Sequence, residues 1–498
     1  MTSIYWLGFI LYALFVVYIG WRSYRSNQAA SKIEVDFWAA GKSLGPWATG
    51  LSISASFMSI SWSCVYAVQL IYWYGLSALW LLAIPWLIVM VIYYILTPYF
   101  RKLPAFSQPE MVAQRFGQSV RAYLALPLAF VFLVWGGAEI FAAAKILSPI
   151  LDVSFHLILA FIAVVVALYS FLGGFAAVVT TDKLQFALVA FFVISISWVA
   201  GNAVLAQESL GNVFNSLPSP PKSDSTALSM FAVGPALVAL TLLAYLPGWA
   251  VETDIWLRLQ ASKTNATARK GVAIAAFNSV VFMAGLPVVI GLAALYLYPP
   301  SGAEIPSELS DGGAIFALLI RDHAPALLTA LLIVGLSAAS MSTIDTCSNV
   351  MALSLSYDII EPYLAKRKKT IDRRIVARVM SAGTVILAYI YALFTDSLWD
   401  VFYLSSGILT TTIFIPMVAL FRKNATRLQV QSAATAGFLS TFIFYFLEKN
   451  GVLQPLQPEW LSDTGLGYIM WGFLVSFIAY WATKKFGNTD TRQYSAAV

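Results

Sequence analysis

Residues 326–349 read Ala-Leu-Leu-Thr-Ala-Leu-Leu-Ile-Val-Gly-Leu-Ser-Ala-Ala-Ser-Met-Ser-Thr-Ile-Asp-Thr-Cys-Ser-Asn. The run has the length of roughly 20 residues that an α-helix needs to cross a bilayer, yet it contains Asp345. A carboxylate at that depth is costly without a partner, so it marks a candidate functional site. Ser342, Asp345 and Thr346 are spaced i, i+3, i+4 and share a helical face. Such clustered oxygens predict a sodium or proton site rather than a transition-metal site.

The composition is that of a membrane protein. The 498 residues are 60% hydrophobic and 11% charged, whereas about a quarter of the residues in a soluble domain are charged. The sequence predicts an all-α polytopic membrane protein with about thirteen transmembrane helices. The predicted spans are 4–21, 46–68, 72–98, 123–150, 155–172, 176–204, 230–252, 271–297, 325–356, 375–394, 399–421, 428–447 and 465–483. No Walker motif and no nucleophile–base pair is found, so the protein is not predicted to be an enzyme.

Basic residues alternate between the two sets of connecting segments. One set holds 26 of the 30 Lys and Arg residues, and it comprises 21–45, 101–121, 173–183, 253–270, 358–378, 422–427 and 484–492. The positive-inside rule therefore predicts a cell inner membrane protein with its N-terminus outside and its C-terminus in the cytoplasm. This distribution explains the net charge of +6 without a nucleic-acid partner.

The span layout predicts an internal repeat within a single transporter domain, 1–498. Two sets of five helices, 46–204 and 230–421, follow an extra N-terminal helix at 4–21 and precede two C-terminal helices at 428–483. Because five is odd, the second set is inverted in the membrane, as in secondary transporters whose first helices are broken near the midplane.

Both first helices carry residues that favour a break. Six serines lie between Leu51 and Ser63, and Pro247 with Gly248 interrupts the second helix. The alternative is that these small residues only permit close helix packing. The matching positions in the two halves favour the break.

Three groups of residues carry a resemblance to a known family. They are Gly173-Gly174 followed by Thr181-Asp182-Lys183-Leu184-Gln185; Ala339-Ser340-Met341-Ser342-Thr343-Ile344-Asp345-Thr346; and the cytoplasmic signatures that begin at Ser107-Gln108-Pro109-Glu110 and Trp256-Leu257-Arg258. With these motifs the chain resembles the sodium–solute symporter family, in particular its sodium/proline symporter branch. The resemblance implies an inverted-repeat fold of the leucine-transporter type and sodium-coupled symport.

The resemblance also implies ion sites. A shared sodium site would use the carbonyls of Ala55, Met58 and Ala339 with the hydroxyls of Ser342 and Thr343. A second ion site would use Asp182, Asp345 and Thr346, together with Ser342. Two carboxylates there suit a second Na⁺ or let one acid carry a proton, so the implied cofactors are one or two Na⁺ ions, with H⁺ as the alternative. Phe57 stands where proline-transporting relatives have Asp, which argues against proline.

Candidate substrate residues lie near the same breaks. Glu139 is a buried acid that could hold a substrate ammonium or instead bond to a broken helix. Tyr245, Trp62, Trp135 and Ser59 are the other candidates, since aromatic rings recognise cations and apolar solutes. Weaker polar candidates are Gln69, Asn278, Ser405 and Ser406. A cytoplasmic gate or loop network is expected from Glu252, Asp254 and Arg258.

The predicted function is Na⁺-coupled uptake of a small organic solute, with an amino acid or other amine-bearing solute favoured. Na⁺- or H⁺-coupled uptake of a monocarboxylate or a vitamin such as pantothenate is the alternative. A transporter-like solute sensor is a further alternative of a different class. The sequence leaves the oligomeric state open, with a monomer as one option.

Overall fold

The computed structural model describes residues 2–27, 43–102, 105, 107–367 and 373–486, without the side chains of 2, 23–24, 26–27, 173–183, 365–366 and 373–374. This part of the chain is helical, and its only β-type pairings are two isolated bridges. The α-helices are α1 (Thr2–Asn27), α2 (Pro46–Phe57), α3 (Ala67–Tyr74), α4 (Ala83–Lys102), α5 (Gln108–Phe116), α6 (Arg121–Leu151), α7 (Phe155–Leu205), α8 (Leu210–Ser216), α9 (Gly234–Trp249), α10 (Thr253–Ala261), α11 (Asn265–Ser279), α12 (Leu286–Leu297), α13 (Ile315–His323), α14 (Ala326–Leu355), α15 (Glu361–Lys366), α16 (Arg373–Ala392), α17 (Leu398–Leu409), α18 (Ile415–Ala419), α19 (Arg427–Lys449), α20 (Glu459–Ser462) and α21 (Gly467–Ala482).

Within the described ranges, ten helices are long and apolar enough to cross a membrane, or eleven when the bent pair α9–α10 counts as one span. The predicted number of thirteen is therefore not confirmed. Helices α2 and α21 have only 12 and 16 residues, fewer than the roughly 20 needed to span a bilayer alone. The predicted spans 46–68 and 72–98 also merge, because the 3₁₀ turn Gly75–Leu81 between them is itself apolar and continues a 43-residue stretch.

The first broken helix ends inside the serine-rich segment, as the sequence predicts. Helix α2 stops at Phe57, and a π-helical turn begins at Ile60 and leads into α3. The Trp62 amide donates to the Ser59 hydroxyl at 2.8 Å, which takes the place of a bond to the Met58 carbonyl. A serine side chain thus supplies the acceptor at the break, as serines do in membrane helices.

The second break lies just beyond the predicted one. Helix α9 continues through Pro247 to Trp249, and a 43° bend separates it from α10. At the bend the Tyr93 hydroxyl donates to the Trp249 carbonyl at 2.7 Å and accepts the Glu252 amide at 3.0 Å. Tyr93, which belongs to α4, thus stabilises the backbone groups at this bend.

The core of the molecule is α14. Every residue from Gly335 to Ser354 is buried, and the helix packs against α1, α6, α7, α16 and the end of α2. Helix α7 covers 51 residues, and its two apolar segments, Phe155–Leu172 and Leu184–Leu205, correspond to two predicted spans. The predicted residues of the connection between them, Asp182 included, have side chains outside the described part.

Candidate functional site

A cavity lies between the two broken helices and α14. Its wall is mainly aromatic and includes Phe57, Trp62, Trp86, Trp135, Trp249 and Phe402. Its polar lining comes from the α2 break, from α14, from the α9–α10 bend and from Ser406. A mostly apolar cavity with a few converging polar groups is typical of a small-molecule site.

The aromatic rings of the wall pack against one another. The Trp62 ring meets Trp249 and Phe402 edge-on, with centroids 5.3 and 4.6 Å apart. Tyr245 stacks on Trp249 at 4.2 Å with an interplanar angle of 6°. Of the predicted substrate residues, Trp62, Trp135 and Ser59 line the cavity, whereas Tyr245 supports the wall from behind.

Glu139 contacts the broken helix. Its carboxylate accepts the Ile60 amide at 2.7 Å and the Ser61 amide at 2.9 Å, and it also accepts the Ser61 hydroxyl at 2.5 Å. The side chain is fully buried and is not among the cavity-lining residues. A carboxylate on free amides at a helix start is a favourable cap. Of the two predicted roles, this geometry matches the bond to the broken helix.

Two further carboxylates face the cavity, where the sequence predicted only a gate or loop network. Glu252 and Asp254 both line it, and each is 1% exposed. Glu252 is the N-cap of α10 and accepts the Asp254 amide at 3.1 Å. The bend thus presents both acids to the cavity.

Arg258 connects α10 to α2 and α14. Its guanidinium pairs with the Asp254 carboxylate and donates to the Ser52 hydroxyl at 2.9 Å and to the Thr346 hydroxyl at 3.3 Å. The side chain is fully buried. A planar guanidinium can serve several fixed acceptors at once, so it sets the distance between three helices beside the cavity.

The predicted sodium ligands lie where α2 ends against α14. Ala55 and Met58 belong to the last turn and C-cap of α2, where carbonyls lack intrahelical donors. The Thr343 hydroxyl lies 3.5 Å from the Ser56 carbonyl and 3.4 Å from the Ala339 carbonyl. Ser342 is fully buried one residue before Thr343. Oxygens from both helices therefore lie close together, as a hard cation requires.

Asp345 and Thr346, two residues of the predicted second ion site, contact different helices. Asp345 accepts the Tyr169 hydroxyl at 2.5 Å and the Ser170 hydroxyl at 3.2 Å, both from α7. Thr346 instead lies 3.5 Å from the Ser56 hydroxyl of α2. Adjacent residues on a helix point about 100° apart. Because α14 is buried on all sides here, Asp345 and Thr346 contact different neighbouring helices.

Of the four weaker polar candidates, Ser406 lines the cavity and the other three do not. Gln69 donates to the Asp311 carbonyl at 2.9 Å and Asn278 to the Ser54 hydroxyl at 2.9 Å. Ser405 accepts the Trp135 ring nitrogen at 2.7 Å. Ser406 does line the cavity.

Sequence reasoning missed the residues that stabilise the breaks. Tyr93 and Thr410 come from distant segments and carry no local motif, and Thr410 bonds both to the Gly248 amide and to the Ala244 carbonyl. The one available signal was the run Thr410-Thr411-Thr412 in an apolar span. Hydroxyl groups in such a span need partners, and broken helices supply them.

The comparisons with known proteins agree with this geometry. The model of the sodium:solute symporter family matches residues 37–435. The chain is 25% identical over 413 residues to a sodium/sialic acid symporter of Aliivibrio fischeri, covering 78% of each chain. It is 22% identical over 497 residues to sodium/proline symporter 2 of Staphylococcus saprophyticus, covering 96% of this chain and 92% of the relative.

A solved structure shares the fold. It is the substrate-bound, outward-open state of a Na⁺-coupled sialic acid symporter, which superimposes with a TM-score of 0.74 at 18% identity over 98% of both chains. The predicted resemblance and the leucine-transporter type of fold are thereby confirmed, and both family and fold are those of multi-pass transporters. The chain therefore belongs to the sodium:solute symporter family and is a sodium-coupled solute symporter.

Proposed function

We propose that this symporter uses sodium to take up a small solute that carries a positively charged nitrogen, such as an amino acid or another amine. The observation that carries the proposal is the lining of the cavity. Aromatic rings alternate there with the carboxylates of Glu252 and Asp254, and the lining in the described part of the chain contains no Lys, Arg or His. Aromatic faces and carboxylates both attract cations.

The sodium ion would bind where α2 ends against α14. Its proposed ligands are the carbonyls of Ala55, Met58 and Ala339 and the hydroxyls of Ser342 and Thr343. Support comes from the free carbonyls at the end of α2 and from the short distance between Thr343 and Ser56. The ion would join the two helices and so stabilise one state of the cavity. Asp182, Asp345 and Thr346 remain the proposed second site for Na⁺ or H⁺.

Transport would proceed inward across the cell inner membrane, with the N-terminus outside and the C-terminus in the cytoplasm. The distribution of Lys and Arg supports this orientation. The driving force is the sodium gradient, in which one charge contributes about 2.3 kcal/mol per 100 mV. Solute would bind beside the broken helices, and rocking of one repeat against the other would expose it to the cytoplasm.

The named substrates of the relatives are proline and sialic acid. Proline carries an amine, which is compatible with the proposal. A carboxylate on the solute would meet no basic side chain in the cavity lining of the described part, so it would need the sodium ion as its partner. A monocarboxylate or vitamin is therefore the second candidate, and its binding would require sodium even more strictly.

A binding screen of the purified protein tests the proposal. Thermal stability is measured with amino acids, quaternary amines, monocarboxylates, vitamins and sugars, in NaCl and in KCl. We expect stabilisation by an amine in NaCl only, because sodium and solute bind together. Counterflow exchange in proteoliposomes then separates a carrier from a sensor. Stabilisation only by solutes without a cationic nitrogen would refute the proposed substrate class.

A further inference from the structure

Glu252 has one carboxylate oxygen bound and one without a partner. Its Oε1 accepts the Asp254 amide at 3.1 Å, and its own amide donates to the Tyr93 hydroxyl. Its Oε2 is buried and has no hydrogen-bond partner among the described residues. Because Glu252 lines the cavity, the bend places a carboxylate with one unpartnered oxygen in the cavity wall.

The charges around this carboxylate do not balance. Glu252 and Asp254 contribute two carboxylates to the cavity wall, and the guanidinium of Arg258 is paired with Asp254. Within the described part of the chain, no ion pair involves Glu252. An unpaired buried charge is strongly unfavourable, so a cation that enters the cavity would gain the interaction that the protein lacks.

The rest of the cavity suits an organic cation. Trp62 and Trp249 present their rings to the same space, and indole faces attract ammonium groups. The Ser406 hydroxyl also lines the cavity and has no partner among the described residues. It offers a hydrogen bond to a polar group of a small solute.

We infer that Glu252 is the residue that selects the solute, by pairing its free oxygen with the positively charged nitrogen of an amine or quaternary ammonium compound. This inference rests on the proposed function and deepens it. Glu139, the other buried acid near the α2 break, is occupied by three donors from Ile60 and Ser61. Ser406 is assigned the contact to the polar end of the solute.

The test compares solutes that differ only in the charged nitrogen. Choline is paired with 3,3-dimethylbutan-1-ol, glycine betaine with 3,3-dimethylbutanoate, and proline with cyclopentanecarboxylate. Binding to the full-length protein in NaCl is measured by calorimetry and thermal shift. The wild-type protein should bind the member with the charged nitrogen of at least one pair and not its carbon isostere. Equal binding of both members of every bound pair would overturn the inference without any variant.

Glu252→Gln supplies the second arm. Removing one partner of a buried charge pair costs enough to weaken binding of the amine by at least ~30-fold. Sodium affinity, followed by tryptophan fluorescence without solute, should stay unchanged. The matched control is Glu448→Gln, a buried carboxylate that accepts the Tyr468 amide at 2.8 Å in the C-terminal helices. The control should bind the amine as the wild type does.

The outcomes separate this inference from the proposed function. Amine binding in the wild type that Glu252→Gln leaves intact would overturn the inference and leave the proposed function standing. A Glu252→Gln variant that loses sodium affinity rather than amine affinity would assign the carboxylate to the ion and also overturn it. Binding by the wild type of only solutes without a cationic nitrogen would refute both.

Discussion

The hydroxyl of Thr410 lies 3.0 Å from the amide nitrogen of Gly248, in the last turn of the apolar helix α9. The same hydroxyl donates to the Ala244 carbonyl at 2.8 Å, so it is inserted into the i→i−4 bond that these two backbone groups would otherwise share. A Cβ at this position would lie 3.0 Å from the Thr410 backbone nitrogen and hydroxyl, a tight contact that glycine avoids. Thr410, the first residue of the π-helical turn Thr410–Phe414, thus supplies hydrogen-bond partners to the second broken helix.

Replacing Thr410 with valine should destabilise the protein. The change keeps the shape of the side chain but leaves two buried backbone groups without partners, which costs about 1–3 kcal/mol. The melting temperature should fall, and the rate of sodium-driven uptake should fall with it. Thr412→Val is the matched control, because the Thr412 hydroxyl is buried on the same turn without a partner in the described structure. If both variants melt alike, the Thr410 bridge has no energetic role.

Glu139→Gln distinguishes the two roles predicted for this acid. The Glu139 carboxylate accepts hydrogen bonds from two backbone amides and one hydroxyl. The glutamine side chain has only one accepting oxygen, so it can replace only part of these bonds. We expect the free energy of unfolding without solute to fall by about 1–3 kcal/mol, as for a lost charged cap, and the melting temperature to fall with it. The ratio of binding of the amine to binding of its carbon isostere should stay as in the wild type. Unchanged stability with a lost preference for amines would make Glu139 a solute ligand instead.

Arg258 should be more important than its position at a helix end suggests. Arg258→Met leaves the buried carboxylate of Asp254 without its cation, which costs about 3–5 kcal/mol. The double variant Asp254→Asn with Arg258→Met should recover part of this loss, because the two residues act as a pair. Arg258→Lys should not restore the wild type, since an ammonium lacks the planar fork. Additive losses in the double variant, measured by thermal melting, would contradict the pairing.

Asp345→Asn addresses the second ion site. If Asp345 binds an ion, the variant should show a weaker or less steep dependence of uptake on sodium concentration, while the fold is retained. Tyr169→Phe removes the 2.5 Å hydrogen bond to the same carboxylate without changing its charge and serves as the control. An unchanged sodium dependence of Asp345→Asn would limit Asp345 to packing between α7 and α14.

The sequence alone predicted the membrane class, the family, the break in α2 and the approximate place of the break in α9. It did not predict which way the polar residues of α14 point, because every residue from Gly335 to Ser354 is buried and periodicity carries no direction in such a helix. Asp345 and Thr346 therefore meet different neighbours.

The assignment of the acids could not be read from the sequence for a related reason. Glu139 and Glu252 are both acids at or near the broken helices, and only their contacts in the structure separate their roles. Glu139 meets a helix start contributed by residues 60–61, whereas Glu252 is turned to the cavity by the bend that Tyr93 holds. Long-range contacts of this kind leave no local pattern.

The sodium dependence of solute binding in Ser342→Ala is the decisive measurement for a sodium site between α2 and α14. The matched control is Ser337→Ala on the same helix, whose buried hydroxyl only bonds back to the Ile333 carbonyl at 2.7 Å. We expect Ser342→Ala to bind solute equally in NaCl and KCl and to lose sodium-driven uptake, while Ser337→Ala keeps the wild-type difference. Full sodium dependence in Ser342→Ala would contradict a sodium site between α2 and α14.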